Sequence, residues 1–444
     1  MDLSPVFKAY DIRGVYPDQL NEESAERIGA AFAAVTGAGS VLVARDMRLS
    51  SEPLAAAFTE GVMSQGADVV DIGLVSTDAL YFASGHLMMP GAMITASHNP
   101  PEYNGFKLCL AGAAPVGEDT GLKDVRRLAE EGVPSAAGRG GVRNQDVLAE
   151  FVDHCLRVVD VSMLRPLKVV VDAANGMGGK MVPPVFERLP DVKLIPLFFE
   201  LDGTFPNHPA DPIQVKNLAD LIQAIKDNDA DLGLAFDGDA DRAFLVDERG
   251  QPASGSLVTA LVAAEVLEAQ PGSSIVYNLI CSRVVPETII EHGGKPIRSR
   301  VGHSFIKQVM AETGAAFGGE HSGHYYFRDN FRADSGILCA LNILRAVSRQ
   351  EASMSDVLRP LRRYWNSGEI NTKVDDQKAA MDRLAEAFSD RPADWTDGLT
   401  IEYPEWWFNA RPSNTEPLLR LNVEARNADV GKSKTEFLLG IIQG

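Results

Sequence analysis

Four short polar stretches hold most of the chemistry this chain can offer: ASHNPP around Ser97, DGDADR from Asp237 to Arg242, GEHSGH from Gly319 to His324, and RPSNTEP from Arg411 to Pro417. In the second, Asp237, Asp239 and Asp241 stand at alternate positions and offer three hard oxygen ligands suited to Mg²⁺ or Ca²⁺. An EF-hand loop does not fit, because Arg242 occupies the place of the turn glycine and the flanks LGLAF and FLVDERGQP read as strands. Alone, the triplet suits a solvated turn as well as a metal site; its position at a strand end, with an arginine next to it, favours the metal. Ser97 likewise fits a structural turn, since Asn99-Pro100 favours extended backbone before the proline. No Gly-x-Ser-x-Gly elbow surrounds it, and the adjacent His98 cannot easily swing back as its base. Beside a metal loop, however, a seryl hydroxyl can accept and return a phosphoryl group while a cation neutralises the phosphoryl oxygens.

In the third stretch, Glu320 and Ser322 are suitable partners for sugar hydroxyls, and His324 can move protons near neutral pH. The alternative is a loop with a core-facing histidine. The fourth gathers Arg411, Ser413, Asn414 and Thr415, a guanidinium fork with hydroxyl and amide donors that suits a phosphate, or else a capped turn with a surface arginine.

The elements that must position these loops repeat one design. Segments beginning at Gly39, Leu167 and Ser273 each read as an apolar strand, a loop, an amphipathic helix and a second strand, with Ser51 as the N-cap of the first helix. Strands such as VVVDA and SIVYNL are continuous in apolar residues, as a sheet covered on both faces requires. Each unit is followed by a further strand that runs into one of the first three polar loops, so all three loops are expected to face one cleft at the carboxyl ends of strands. The expected fold class is α/β: three structurally similar α/β domains and a C-terminal α+β domain around a central cleft. The expected divisions are 1–145, 146–250, 251–362 and 363–444, with a hinge between Leu361 and Thr372.

The 444 residues are 45% hydrophobic and 23% charged, which is a folded globular composition. A net charge of −19 disfavours nucleic acid and anionic membranes as partners, and an anionic small molecule then needs locally concentrated cations. Neither a signal peptide nor an apolar run of about 18 residues appears, so a cytoplasmic protein is expected, and a monomer. Cys109, Cys155, Cys281 and Cys339 form no CxxC pair and suggest neither disulfides nor zinc.

Taken together, KAYDIRG (Lys8 to Gly14), TASHNPPEYNGFK (Thr95 to Lys107), DGDADR, GHSFIK (Gly302 to Lys307), GEHSGH and RPSNTEP resemble the α-D-phosphohexomutase superfamily, and most closely its bacterial phosphomannomutase/phosphoglucomutase branch. The resemblance spans nearly the whole chain. It implies a heart-shaped enzyme that interconverts hexose 1- and 6-phosphates through phosphorylated Ser97 and a sugar bisphosphate, with glucose 1,6-bisphosphate as intermediate and activator. It implies Mg²⁺ held by Ser97, once phosphorylated, and by Asp237, Asp239 and Asp241, with Arg242 on the transferring group. Lys107 and His324 become the acid and base candidates. Tyr10 and Arg13 line the site, Glu320 and Ser322 hold sugar hydroxyls, and Arg411, Ser413, Asn414 and Thr415 grip the distal phosphate. His98 and Arg420 are secondary candidates.

Two departures stand out. Ile280 replaces a substrate-contacting lysine, for which His303, Arg298 or Arg300 are expected to compensate, and His321 stands where many relatives carry methionine. Activity on both glucose and mannose phosphates is expected, with glucose favoured. An amino-sugar phosphate mutase and a non-catalytic sugar-phosphate binder are the alternatives.

Overall fold

The computed structural model describes residues 1–413 and 418–444. In the first unit, Ser40–Arg45 runs parallel to Asp68–Leu74 on one side and Gly91–Ile94 on the other, and Tyr103–Leu110 returns antiparallel beside Gly91–Ile94. The second unit repeats this with Leu167–Asp172 between Val192–Leu197 and Leu232–Phe236, and Ala243–Asp247 returning. The third repeats it with Ser274–Asn278 between Lys295–Ser299 and Phe317–Gly319, and Tyr325–Phe327 returning.

The three polar loops are therefore equivalent connections, each joining the outer parallel strand to its antiparallel return. Side chains from these strands and their helices, from Leu42 to Leu361, form one continuous apolar core. Burying that surface drives the three units together at about 25 cal/mol per Å² of apolar area.

The C-terminal domain has its own core, around Leu399, Phe408, Leu421 and Leu438. Its five-stranded antiparallel sheet is backed by the helices Gln377–Ala387 and Ala428–Gln443. Its seams with the third unit are polar: Arg298 meets Glu402 at 2.9 Å, Arg283 donates to the Tyr403 carbonyl at 2.7 Å, and Arg363 meets Glu291 at 2.6 Å.

Two local expectations change. Trp365–Lys373 is a strand paired with Leu418–Ala425, so most of the expected hinge belongs to the C-terminal sheet, and only Arg362 to Tyr364 link it to the preceding turn Arg359–Leu361. Ser51 opens its helix rather than capping it, because its hydroxyl is drawn 2.5 Å from the buried carboxylate of Asp46.

The first and third units are also fastened by a buried carboxyl. Asp78, at the start of the helix Thr77–Leu87, accepts a hydrogen bond from Ser335 at 2.6 Å and another from Ser76. Burial pushes its pKa up to about 7, so the native state holds this proton more tightly than the unfolded chain does. The stabilisation is complete below the unfolded pKa of 3.8 and is lost as pH rises through about 7. Asp78→Asn, which cannot ionise, is expected to raise the urea midpoint more at about pH 8 than at about pH 5; an equal or smaller gain at the higher pH contradicts this.

Candidate active site

Ser97 is buried at the tip of the first loop with φ of +52°, a left-handed conformation that a non-glycine residue adopts only when its surroundings impose it. Its amide donates to Thr95 Oγ1 at 2.9 Å, and its own hydroxyl donates to Asp237 Oδ2 at 2.7 Å. Arg242 Nη2 lies 3.3 Å from the same hydroxyl and its Nε 2.8 Å from Asp237 Oδ2. The loops meet this closely because residue 238 is glycine: a Cβ there would lie 2.3 Å from the Ser97 carbonyl oxygen.

Asp237, Asp239 and Asp241 are buried, and their oxygens lie within 4.8 Å of one another. Burial raises the pKa of Asp237 and of Asp241, the latter helped by the charge of Asp239. Burial also works on Asp239, but the Lys107 ammonium, with hydrogen bonds from Lys107 and Thr77, holds it below the usual carboxylate range. Lys107 Nζ stands 2.6 Å from Asp239 and 2.5 Å from Asp241. Its pKa is held well above the usual lysine value because the two aspartates outweigh burial. Asp239 Oδ1 and Asp241 Oδ1 are buried with no hydrogen-bond partner among the described residues. Orphaned carboxylate oxygens beside a third carboxylate are an all-oxygen donor set, and that set fits a hard divalent cation.

The GEHSGH loop abuts the DGDADR loop through a bridge between Arg242 and His324. The His324 ring lies 3.8 Å from Asp241 and 3.6 Å from Glu320, with the Ser322 hydroxyl at 3.2 Å. Burial lowers its pKa, so it is a neutral imidazole near pH 7. Glu320 is pinned by the Tyr326 hydroxyl at 2.8 Å and the Gly302 amide at 3.1 Å. Arg13 donates to the Asn99 side chain, which ties the KAYDIRG stretch to the serine loop. Tyr10 meets His303 edge-on, 5.2 Å between ring centroids. His98 lies 3.3 Å from Ser97 Oγ, and the Arg242 charge holds its pKa well below the ordinary value.

A cleft of about 950 Å³ extends from His321 and Ser322, past Ile280, to Glu369, Arg411 and Arg420 of the C-terminal domain. Arg420 Nη2 donates to Ser413 Oγ at 3.4 Å. Asn414 and Thr415 lie outside the described residues. Of the groups expected to replace the lysine missing at Ile280, His303 is pushed down to about 3 by burial, helped by Lys307, and carries no charge at neutral pH. Arg298 is engaged by Glu402 and Asp394 in the seam between domains. Arg300 lies over the Phe305 ring at 4.5 Å, beside the Tyr10 cluster.

Arg48 is a residue the motifs did not bring forward. Its guanidinium donates to the carbonyls of Pro100 at 2.7 Å, Tyr103 at 3.0 Å, Ser97 at 2.8 Å and Asn99 at 2.6 Å. Asp46 stands 3.3 Å from its Nε, and Phe205 of the second unit covers it at 5.1 Å. One side chain thus holds the serine loop in shape against the neighbouring domain. The signal was its place after the strand Ser40–Arg45, at the carboxyl edge where the other site loops lie.

The chain matches the phosphoglucomutase/phosphomannomutase models for α/β/α domain I over residues 4–132, domain II over 149–250, domain III over 254–364 and the C-terminal domain over 369–436. It is 40% identical to a phosphomannomutase of Escherichia coli, over 98% of this chain and 99% of that one. It is 41% identical to phosphohexose mutases of Xanthomonas campestris, over 99% of each chain. Among solved structures, a phosphoglucomutase/phosphomannomutase family protein from Burkholderia thailandensis superposes with a TM-score of 0.89 at 34% identity, covering 99% of this chain and 97% of that one. Three equivalent α/β units and a smaller fourth domain around one polar cleft are the heart-shaped architecture of the phosphohexomutases. The chain belongs to the phosphoglucomutase/phosphomannomutase family, and it is a mutase of the phosphotransferase class.

Proposed function

We propose that the protein interconverts the 1- and 6-phosphates of glucose and mannose, with Ser97 as the phosphate carrier and Mg²⁺ as the resident ion. The observation that carries this reading is the Ser97 hydroxyl 2.7 Å from Asp237, with Arg242 on it and two orphaned aspartate oxygens alongside. Asp237, Asp239 and Asp241 hold the ion, which supplies charge neutralisation to the phosphoryl oxygens. Arg242 steadies the group in transit, and in-line placement does the rest, because phosphoryl transfer asks for positioning and electrostatics more than for covalent help.

Lys107, kept protonated by its carboxylate partners, is the acid, and the neutral imidazole of His324 is the base. Glu320 and Ser322 hold sugar hydroxyls, with Tyr10 and Arg13 closing that wall. Arg411, Ser413 and Arg420 grip the phosphate that is not reacting, with Asn414 and Thr415 expected beside them. Arg300 takes the place of the missing lysine. A sugar 1,6-bisphosphate turns around between the two half-reactions. The polar seams and separate core of the C-terminal domain let it part from the third unit while this happens. The domains divide at 145/146, 250/251 and 362/363. The names of the relatives in Escherichia coli and Xanthomonas campestris support mannose and other hexose phosphates as substrates.

The test is turnover of glucose 1-phosphate, mannose 1-phosphate and glucosamine 1-phosphate, each with a trace of bisphosphate, before and after chelation. Conversion of the first two to 6-phosphates, abolished by chelator and restored by Mg²⁺, is expected. Exclusive use of glucosamine 1-phosphate transfers the protein to the amino-sugar reading, and no turnover of any of the three sinks the mutase reading.

A further inference from the structure

Glu369 lies on the strand Trp365–Lys373 of the C-terminal sheet, and its carboxylate meets Arg411 Nη2 at 2.6 Å and Arg420 Nη1 at 3.7 Å. The two arginines sit opposite each other on adjacent strands, so their forks converge on one spot. All three side chains line the cleft, and the Nε atoms of both arginines are buried without a partner among the described residues. Two guanidinium groups brought this close in a partly exposed cleft wall repel one another unless an anion lies between them, and here the chain supplies one.

We infer that Glu369 is an internal counter-ion of the distal phosphate clamp: it holds Arg411 and Arg420 when the cleft is empty, and the substrate phosphate displaces it. This rests on the reading of Arg411 and Arg420 as phosphate ligands. Two consequences follow. A ligand must outcompete a carboxylate, so a dianionic phosphate ester displaces it and a neutral sugar does not. Affinity is reduced by the fraction of clamps that Glu369 occupies, and the same carboxylate, returning to the arginines, helps expel the bound phosphate. For an enzyme whose bisphosphate must let go at one end and rebind at the other, a self-occupied clamp prevents trapping.

The probe is inorganic phosphate as a competitive inhibitor, with hexose 1-phosphate as substrate. Glu369→Gln keeps the shape of the side chain and removes the charge. It is expected to lower the inhibition constant of phosphate and the KM for hexose phosphate by about tenfold each, with kcat reduced as release slows. A structural role alone would raise KM instead. Arg411→Ala serves as the companion: it should weaken phosphate inhibition at least tenfold on its own, and it should erase most of the gain from Glu369→Gln when the two are combined. Unchanged or weaker phosphate inhibition in Glu369→Gln, with Arg411→Ala behaving as expected, overturns the counter-ion and leaves the clamp standing. Unchanged inhibition in Arg411→Ala overturns the clamp itself. If Glu369→Gln does not fold, Glu369→Ala is read by the same criteria.

Discussion

Ser97→Ala is expected to lower kcat by about 10⁴-fold or more and to lack, in its intact mass, the single added phosphate expected on the wild-type protein. The size of the effect follows from what the alanine protein still has. Asp237, Asp239, Asp241 and Arg242 would remain, so hexose phosphates should still bind with nearly unchanged affinity while the group that carries phosphate between the two half-reactions is gone. The fold should tolerate the change, because the backbone of the loop is held by Arg48 and Thr95 rather than by the Ser97 hydroxyl. An unphosphorylated Ser97→Ala protein with wild-type turnover would refute the assigned carrier.

The second large effect is expected from Arg48→Met, which removes a residue that contacts none of the three aspartates and does not line the cleft. Four carbonyl oxygens lose their shared donor, and Asp46, already raised by burial and partly offset by Arg48, is left as an uncompensated buried carboxyl. Breaking a buried pair from one side costs about 3–5 kcal/mol, and displacing a reacting group by about 1 Å costs about 10² in rate, so lower denaturant resistance and a kcat loss of that order are expected together. Arg48→Lys separates the two. It keeps a charge beside Asp46 but cannot fork to four carbonyls, so it should recover much of the stability and little of the kcat, with KM near wild type. Equal recovery of both would reduce Arg48 to a purely structural residue.

The parts of this molecule that were legible in the sequence are those where one stretch carries its own signal. Continuous apolar strands announced a covered parallel sheet, and three polar loops at strand ends announced their shared cleft. The C-terminal domain was readable from its lack of the strand–loop–helix opening. What stayed hidden depends on which chain segments meet. Nothing local marks Arg48 as the partner of carbonyls some fifty residues away, or Glu369 as the partner of Arg411. Nor does the sequence show that Arg298 pairs with Glu402 across the seam between domains. That most of the expected hinge stretch is a strand, Trp365–Lys373, was hidden because its pairing across the sheet is absent from local pattern.

The central claim is that phosphate travels through Ser97. Its most direct test is to phosphorylate the protein from glucose 1,6-bisphosphate carrying labelled phosphate, remove all free sugar phosphates, add a stoichiometric amount of unlabelled glucose 1-phosphate with Mg²⁺, and follow the label in a single turnover. The account predicts label leaving Ser97 and appearing first in glucose 1,6-bisphosphate and then in glucose 6-phosphate, with none released as inorganic phosphate on the same timescale. Label that stays on the protein while glucose 6-phosphate accumulates would contradict it.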